Sequence, residues 1–149
     1  KILKTNGDIT VMVEDGWLEL WSVRNEDQIN DAETLKYGDN GQIIELGRKP
    51  QSLSDIEGQY TGLIKIPYHK IDDFISFYDQ LDRSLLYEGR TFKQMYMTTF
   101  LQLLIDDGWM IMPAHVNHGW LEVDTVEDLK LYEKLSLEGK LDALWKINE

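Results

Sequence analysis

QYTGLIKIPYHKIDDFISFYDQL, Gln59 to Leu81, changes its period halfway along. Gln59 to Ile66 is an apolar run that reads as a strand, and Pro67 ends it because proline cannot donate to a ladder. Beyond the proline, Ile71, Phe74, Ile75 and Tyr78 recur at i, i+3, i+4 and i+7. That spacing predicts a helix over Tyr68 to Leu81. Both neighbouring regions repeat the alternation. Upstream, Asp8 to Glu14 (DITVMVE) reads as a strand, with Val11 and Val13 alternating with Thr10 and Met12. Asp15-Gly16 breaks it, and a short helix is expected to carry Trp17, Leu18 and Trp21 toward the core. Asn25 to Asp39 is polar and reads as mostly irregular. Asp39-Asn40-Gly41 marks a turn into a strand over Gln42 to Leu46, which suggests a hairpin with Glu33 to Tyr37. Gly47 to Gly58 reads as a loop.

Downstream, Phe92, Met95, Tyr96, Phe100, Leu103 and Leu104 predict one longer helix that Gly108 stops. Trp109 to Ala114 reads as a buried strand and Gly119 to Val123 as a short extended piece. Thr125 with Asp128 fits a capping box, opening a helix to about Lys134. Leu137 to Trp145 reads as a last, frayed helix. No repeat or low-complexity segment occurs. The alternation predicts an α/β layer architecture in a single domain over residues 1–149.

Composition narrows the function. The 149 residues carry 15 Lys+Arg against 27 Asp+Glu, a formal charge of −12. Such a surface repels phosphate backbones, so nucleic acid is not an expected partner. A local basic spot can still bind a small phosphate. With no cysteine, a disulfide scaffold, a thiolate zinc site and a cysteine nucleophile are excluded. No apolar run of about 18 residues appears, so no membrane helix is expected. The N-terminus lacks the basic-then-apolar pattern of a secretory signal. A cytoplasmic protein is the default reading.

Few residues could carry chemistry. In GWLEVDT, Gly119 to Thr125, Glu122 and Asp124 alternate, so an extended backbone puts both carboxylates on one face. They precede a helix N-terminus, where ligands bind in open α/β sheets. Two hard oxygen donors there could hold Mg²⁺; equally, they could be surface acids complementing the helix dipole. Gly47-Arg48-Lys49-Pro50 is a basic spot that could meet a phosphate, or a solvated loop. His115 and His118, three apart beside Asn117, would need further ligands to hold zinc and read better as surface or core-edge residues. Trp17, Trp21, Trp109 and Trp120 could box a quaternary ammonium by cation–π attraction; Trp109 reads better as core. No glycine-rich phosphate loop, no G-x-S-x-G and no H-E-x-x-H is present.

Several segments, in order, resemble nucleotidyltransferases of the sugar-phosphate and phosphocholine cytidylyltransferase type. GWLEVDTVEDL (Gly119 to Leu129) looks like that family's strand–turn–helix with its second metal-binding acid. IIELGRKP (Ile43 to Pro50) looks like its E-K-P region, where Lys49 would match the lysine that meets the substrate phosphate. QYTGLIKI looks like the strand that follows. WLELWSVRNEDQINDAETLKY (Trp17 to Tyr37) is similar to the subset handling phosphocholine or phosphonates.

The resemblance implies a mixed, glycosyltransferase-A-like sheet flanked by helices, of which this chain would be the C-terminal, substrate-side half. The strand at 59–66 is then expected to be central and mostly buried, with the helix near 91–107 packed on the sheet. The implied reaction is Mg²⁺-dependent transfer of a nucleotidyl group from an NTP, CTP above all, to phosphocholine, a phosphonate or a sugar phosphate. Glu122 and Asp124 would hold the metal, Lys49 the phosphate, and Trp17 or Trp21 the acceptor head group. The nucleotide loop and first metal acid have no match, so the isolated chain is expected to be inactive. A half-domain would leave an apolar face that favours homo-oligomers. The rival reading is a non-catalytic acidic α/β interaction or regulatory module.

Overall fold

The computed structural model describes residues 1–24, 29 and 32–145. Seven strands and four helices are assigned among them: β1 Ile9–Glu14, α1 Trp17–Arg24, β2 Leu35–Tyr37, β3 Ile43–Leu46, β4 Gln59–Lys65, α2 Ile71–Gln80, β5 Leu86–Tyr87, β6 Arg90–Thr91, α3 Met97–Asp106, β7 Ile111–Val116 and α4 Val126–Leu137. Strands and helices interleave along the chain, as an α/β architecture requires.

The principal sheet is mixed, in the order β4-β1-β7. β1 pairs with β7 in parallel from Ile9↔Ile111 to Glu14↔Val116. It pairs with β4 antiparallel, from Thr10↔Lys65 to Glu14↔Gln59. The register shifts between Val11↔Ile64 and Val13↔Tyr60, and Gly62, at φ 85°, takes up the extra chain there. β2 and β3 form a separate ribbon, closed by the turn at Gly41, where φ is 77°.

Helices flank the sheet. Ile9, Val11 and Val13 of β1 and Ile111 of β7 join Phe100, Leu101 and Leu104 of α3 and Leu35, Ile43 and Leu46 of the ribbon in one aliphatic core. Phe74 and Phe77 of α2 pack edge-on or tilted against Phe100 and Trp109. A second cluster joins Trp17, Leu20 and Trp21 of α1 to Tyr132 of α4, with Ala32, Ile56 and Leu144. The Thr125–Asp128 capping box forms as the sequence predicts.

Five expectations change. The strand at 59–66 lies at the edge of the sheet, with Gln59 alone buried and Gly62 and Leu63 exposed; β1, buried along nearly its whole length, is central instead. The helix expected from Phe92 onward is broken: a 3₁₀ turn over Phe92–Gln94 gives way to extended backbone at Met95 and Tyr96 before α3 begins. Phe92 faces Tyr78, with ring centroids 4.9 Å apart, rather than continuing the α3 stripe. Gly119 to Val123 joins no sheet. The terminal helix reduces to a 3₁₀ turn, Leu141–Ala143. Leu18 points outward, 41% exposed, and Leu20 takes its place in the core. Of the irregular stretch read over Asn25 to Asp39, residues 25–28, 30 and 31 lie outside the described residues.

Candidate active-site cleft

Gln59 pairs with Glu14, the last residue of β1, so the start of β4 lies at the carboxyl end of the parallel pair. Ligands of open α/β sheets bind at that end. A cleft of about 290 Å³ opens there, walled by Gln59 to Gly62, Trp21, Glu33, Glu122 and Asp124. The Gln59 amide reaches back to the Glu33 carbonyl at 2.8 Å and fixes one rim. Burial pushes the Tyr60 phenol up to about 12, and the Glu33 charge adds to the shift.

Glu122 and Asp124 do converge, and they converge on Arg24. Its Nη1 lies 2.7 Å from Glu122 Oε2, its Nη2 2.8 Å from Asp124 Oδ2, and its Nε 2.9 Å from Asp128 Oδ1. The Arg24 side chain is only 2% exposed. Burial opposes its charge, but hydrogen bonds to three carboxylates outweigh that penalty and raise its pKa above the ordinary arginine value. The guanidinium also sits 5.2 Å from the Trp21 ring centroid, and Trp120 stacks on the indole of Trp21 at 6.2 Å.

Asp128 ties this cluster to α4. Its Oδ2 accepts from the Asp124 amide at 3.1 Å, the Thr125 amide at 2.9 Å and the Thr125 hydroxyl at 2.9 Å. With Arg24 the foremost cause, these bonds hold its carboxyl well below the usual range.

A second carboxylate secures the opposite side. Glu14 is 1% exposed, and its Oε1 accepts from the Gly16 and His118 amides, both at 2.8 Å. It therefore ties the turn after β1 to the turn after β7, where His118 is held at φ 63°. The His118 ring faces Glu19 at 3.4 Å, and His115 meets Asp15 at 2.8 Å. Among the described residues, no group of three or more His, Cys, Asp or Glu is placed to hold a metal by itself.

Of the residues singled out from sequence, Glu122, Asp124 and Trp21 line the cleft. Trp17 does not; it packs edge-on behind Trp21 at 6.2 Å. Lys49 lies off the cleft walls, its ammonium donating to the Ile29 carbonyl at 3.0 Å. Sequence reasoning missed Arg24, Asp128, Glu33 and Tyr60. Arg24 lies 98 to 104 residues from its acids, so no local spacing reveals it.

A mixed α/β sheet flanked by helices, with a cleft at the carboxyl end of its parallel strands, is consistent with a nucleotidyltransferase-like fold. No family model matches the chain. It is 40% identical over 131 residues to the CTP:phosphoglutamine cytidylyltransferase of Campylobacter jejuni, an alignment covering 88% of this chain and 51% of that protein. The chain is thus similar to a cytidylyltransferase, and it spans about half the length of the curated relative it matches.

Proposed function

We propose that this chain forms the acceptor side of a nucleotidyltransferase that moves a cytidylyl group from CTP to a phosphorylated small molecule. One observation carries the reading: Trp21 and Tyr60 share a cleft with Glu122 and Asp124 at the carboxyl end of the parallel strands, in a chain related to a CTP-using enzyme. In the reaction, an oxygen of the acceptor phosphate attacks the α-phosphorus of CTP. A phosphoanhydride bond forms, the bond from the α-phosphorus to the bridging oxygen breaks, and pyrophosphate leaves with that electron pair. Positioning and charge neutralisation carry such a step.

The cleft's acids repel the acceptor phosphate and attract a cationic head group, while Trp21, stacked on Trp120 and covered by the Arg24 guanidinium, borders the cleft as part of its wall. Trp17, packed behind Trp21, holds that ring in place. An acceptor bearing an ammonium group fits this wall better than an uncharged sugar phosphate. Lys49, on the loop after β3 and off the cleft walls, would have to exchange its bond to the Ile29 carbonyl for the acceptor phosphate to take the role that the resemblance gives it.

Glu122 and Asp124 bring two hard carboxylates to one wall of the cleft, a donor pair that a divalent ion could share with substrate phosphates. Mg²⁺ held there would neutralise phosphate charge and polarise the α-phosphorus. A cytoplasmic location belongs to the same proposal.

The test is pyrophosphate release by the complete protein encoded by the gene, with CTP and a panel of phosphorylated acceptors with and without an ammonium group. Turnover is expected with CTP and an ammonium-bearing acceptor. Asp124→Ala is expected to lower it by more than roughly a hundredfold, while the 149-residue chain alone stays inactive. No release with any acceptor would leave the non-catalytic module as the better reading.

A further inference from the structure

We infer that Arg24 is a positioning residue: its guanidinium sets the placement of Glu122 and Asp124 on the cleft wall, a role that the point charge of a lysine could not fill. The inference rests on the reading of those two acids as the ion-holding pair. Residues 117 to 124 contain no helix or strand, so no regular ladder or helix bonding sets where the side chains of Glu122 and Asp124 go. Arg24 supplies what the backbone does not. Each of its three nitrogens meets a different carboxylate, at 2.7, 2.8 and 2.9 Å. A planar fork with fixed donor directions can do this; a single ammonium cannot hold three acids in three directions.

The support behind Arg24 is itself rigid. It ends α1, where a cation complements the helix dipole. It lies against Trp21, which is 3% exposed and belongs to the second core cluster. Asp128, the third acid, is anchored by two backbone amides and the Thr125 hydroxyl. The fork therefore transmits the position of two helices, α1 and α4, to the two acids between them.

This arrangement differs from simple competition. An arginine standing where the ion binds would have to leave, and removing it would tighten ion binding. An arginine at 2% side-chain exposure with all three nitrogens engaged is built to stay. Removing it would take away the guanidinium bonds that set the direction of both carboxylates, and ion binding would weaken.

Two measurements on the complete protein encoded by the gene decide the matter, with Arg24→Lys and Arg24→Gln beside the unaltered protein. The first is Mn²⁺ binding, followed by the spin resonance of the free ion. Both variants are expected to bind roughly ten- to a hundredfold more weakly. Affinity that rises in Arg24→Gln, stays unchanged, or is restored in Arg24→Lys overturns the inference. The second is amide exchange at Asp124, whose N–H donates to Asp128. Its protection is expected to fall at least tenfold in both variants, while that of Val11 and Val13 in β1 holds and shows the sheet folded. Unchanged protection at Asp124 also overturns the inference. If the unaltered protein and an Asp124→Ala variant take up no Mn²⁺ alike, the ion-holding reading fails. The exchange measurement then decides the positioning role alone: lost protection supports it, and retained protection overturns it.

Discussion

The two hydrophobic clusters are built differently. The sheet core is almost purely aliphatic: Ile9, Val11, Val13, Leu35, Leu101, Leu104 and Ile111 are all wholly buried. Among the described residues it contains no ion pair and needs none, since removing apolar surface from water stabilises it without direction or partner. The α1–α4 cluster is built around indole rings, and at its margin a buried arginine gathers three acids. A buried charge contributes little net stability against an apolar residue of the same size, but it fixes geometry and is costly to break. The first cluster thus holds the fold, and the second holds a particular arrangement of carboxylates beside the cleft.

The largest expected effect breaks the first cluster. Leu104→Ala removes a wholly buried side chain from α3 and should cost about 3 kcal/mol. Urea unfolding should show it, with both clusters lost in one transition. If the tryptophan signal of Trp17 and Trp21 survives past the loss of sheet structure, the two clusters fold independently of one another.

Next comes Arg24→Met. It leaves Glu122, Asp124 and Asp128 facing one another, at a cost of about 2 kcal/mol, less than a deep site would lose because Glu122 and Asp124 are partly exposed. Near-ultraviolet circular dichroism should change through Trp21 and Trp120, while amide protection in β1 persists. Loss of sheet protection would mean that the cation also holds the fold.

What the sequence revealed follows the same division. β1, β3, β4 and β7 announce themselves by local apolar patterning, because an aliphatic core needs only the right residues on the right face. The α4 capping box is equally local. The acid pair was legible because Glu122 and Asp124 are two residues apart. Arg24 was not: a salt bridge across about a hundred residues has no period. The edge position of β4 is likewise a pairing fact, invisible in a run that looks apolar enough for a central strand. The β5–β6 hairpin was missed for another reason. Its turn puts Glu88 at φ 49° and Gly89 at φ 78°, a pair of left-handed residues suited to a two-residue hairpin. Glutamate gives no warning of that conformation; the Thr99 hydroxyl, donating to its carboxylate at 2.6 Å, helps to hold it.

A smaller effect is readable by pH. The Asp128 carboxyl is held below its ordinary value of 3.8, chiefly by Arg24. A carboxylate with a depressed folded pKa stabilises the protein fully above its unfolded pKa, and that stabilisation is lost as pH falls toward the folded value. The stability difference between the unaltered protein and Asp128→Asn should therefore be level from pH 7 to about 5 and shrink below about 4. Arg24 titrates too high to contribute in this range. A difference that stays constant down to pH 2 would show that Asp128 acts through the shape of its cap and not through its charge.

The smallest effect tests whether burial or the number of acids makes Arg24 matter. Lys36 on β2 is also a cation shared among acids, 2.9 Å from Asp55 and 3.7 Å from Glu45. Hydrogen bonding to Lys36 pulls the Asp55 carboxyl down to about 2. The lysine side chain, however, is 35% exposed, against 2% for Arg24. Water and salt screen an exposed cluster, and the long lysine stem loses freedom by holding one geometry. Lys36→Ala should therefore shift the urea midpoint far less than Arg24→Met, and the shift should vanish in 1 M salt. The Arg24→Met loss should persist there, because a buried pair is screened much less. If the two substitutions cost the same, or lose their effect together as salt rises, then the count of acids around a cation decides its worth, and the distinction between the two regions does not rest on burial.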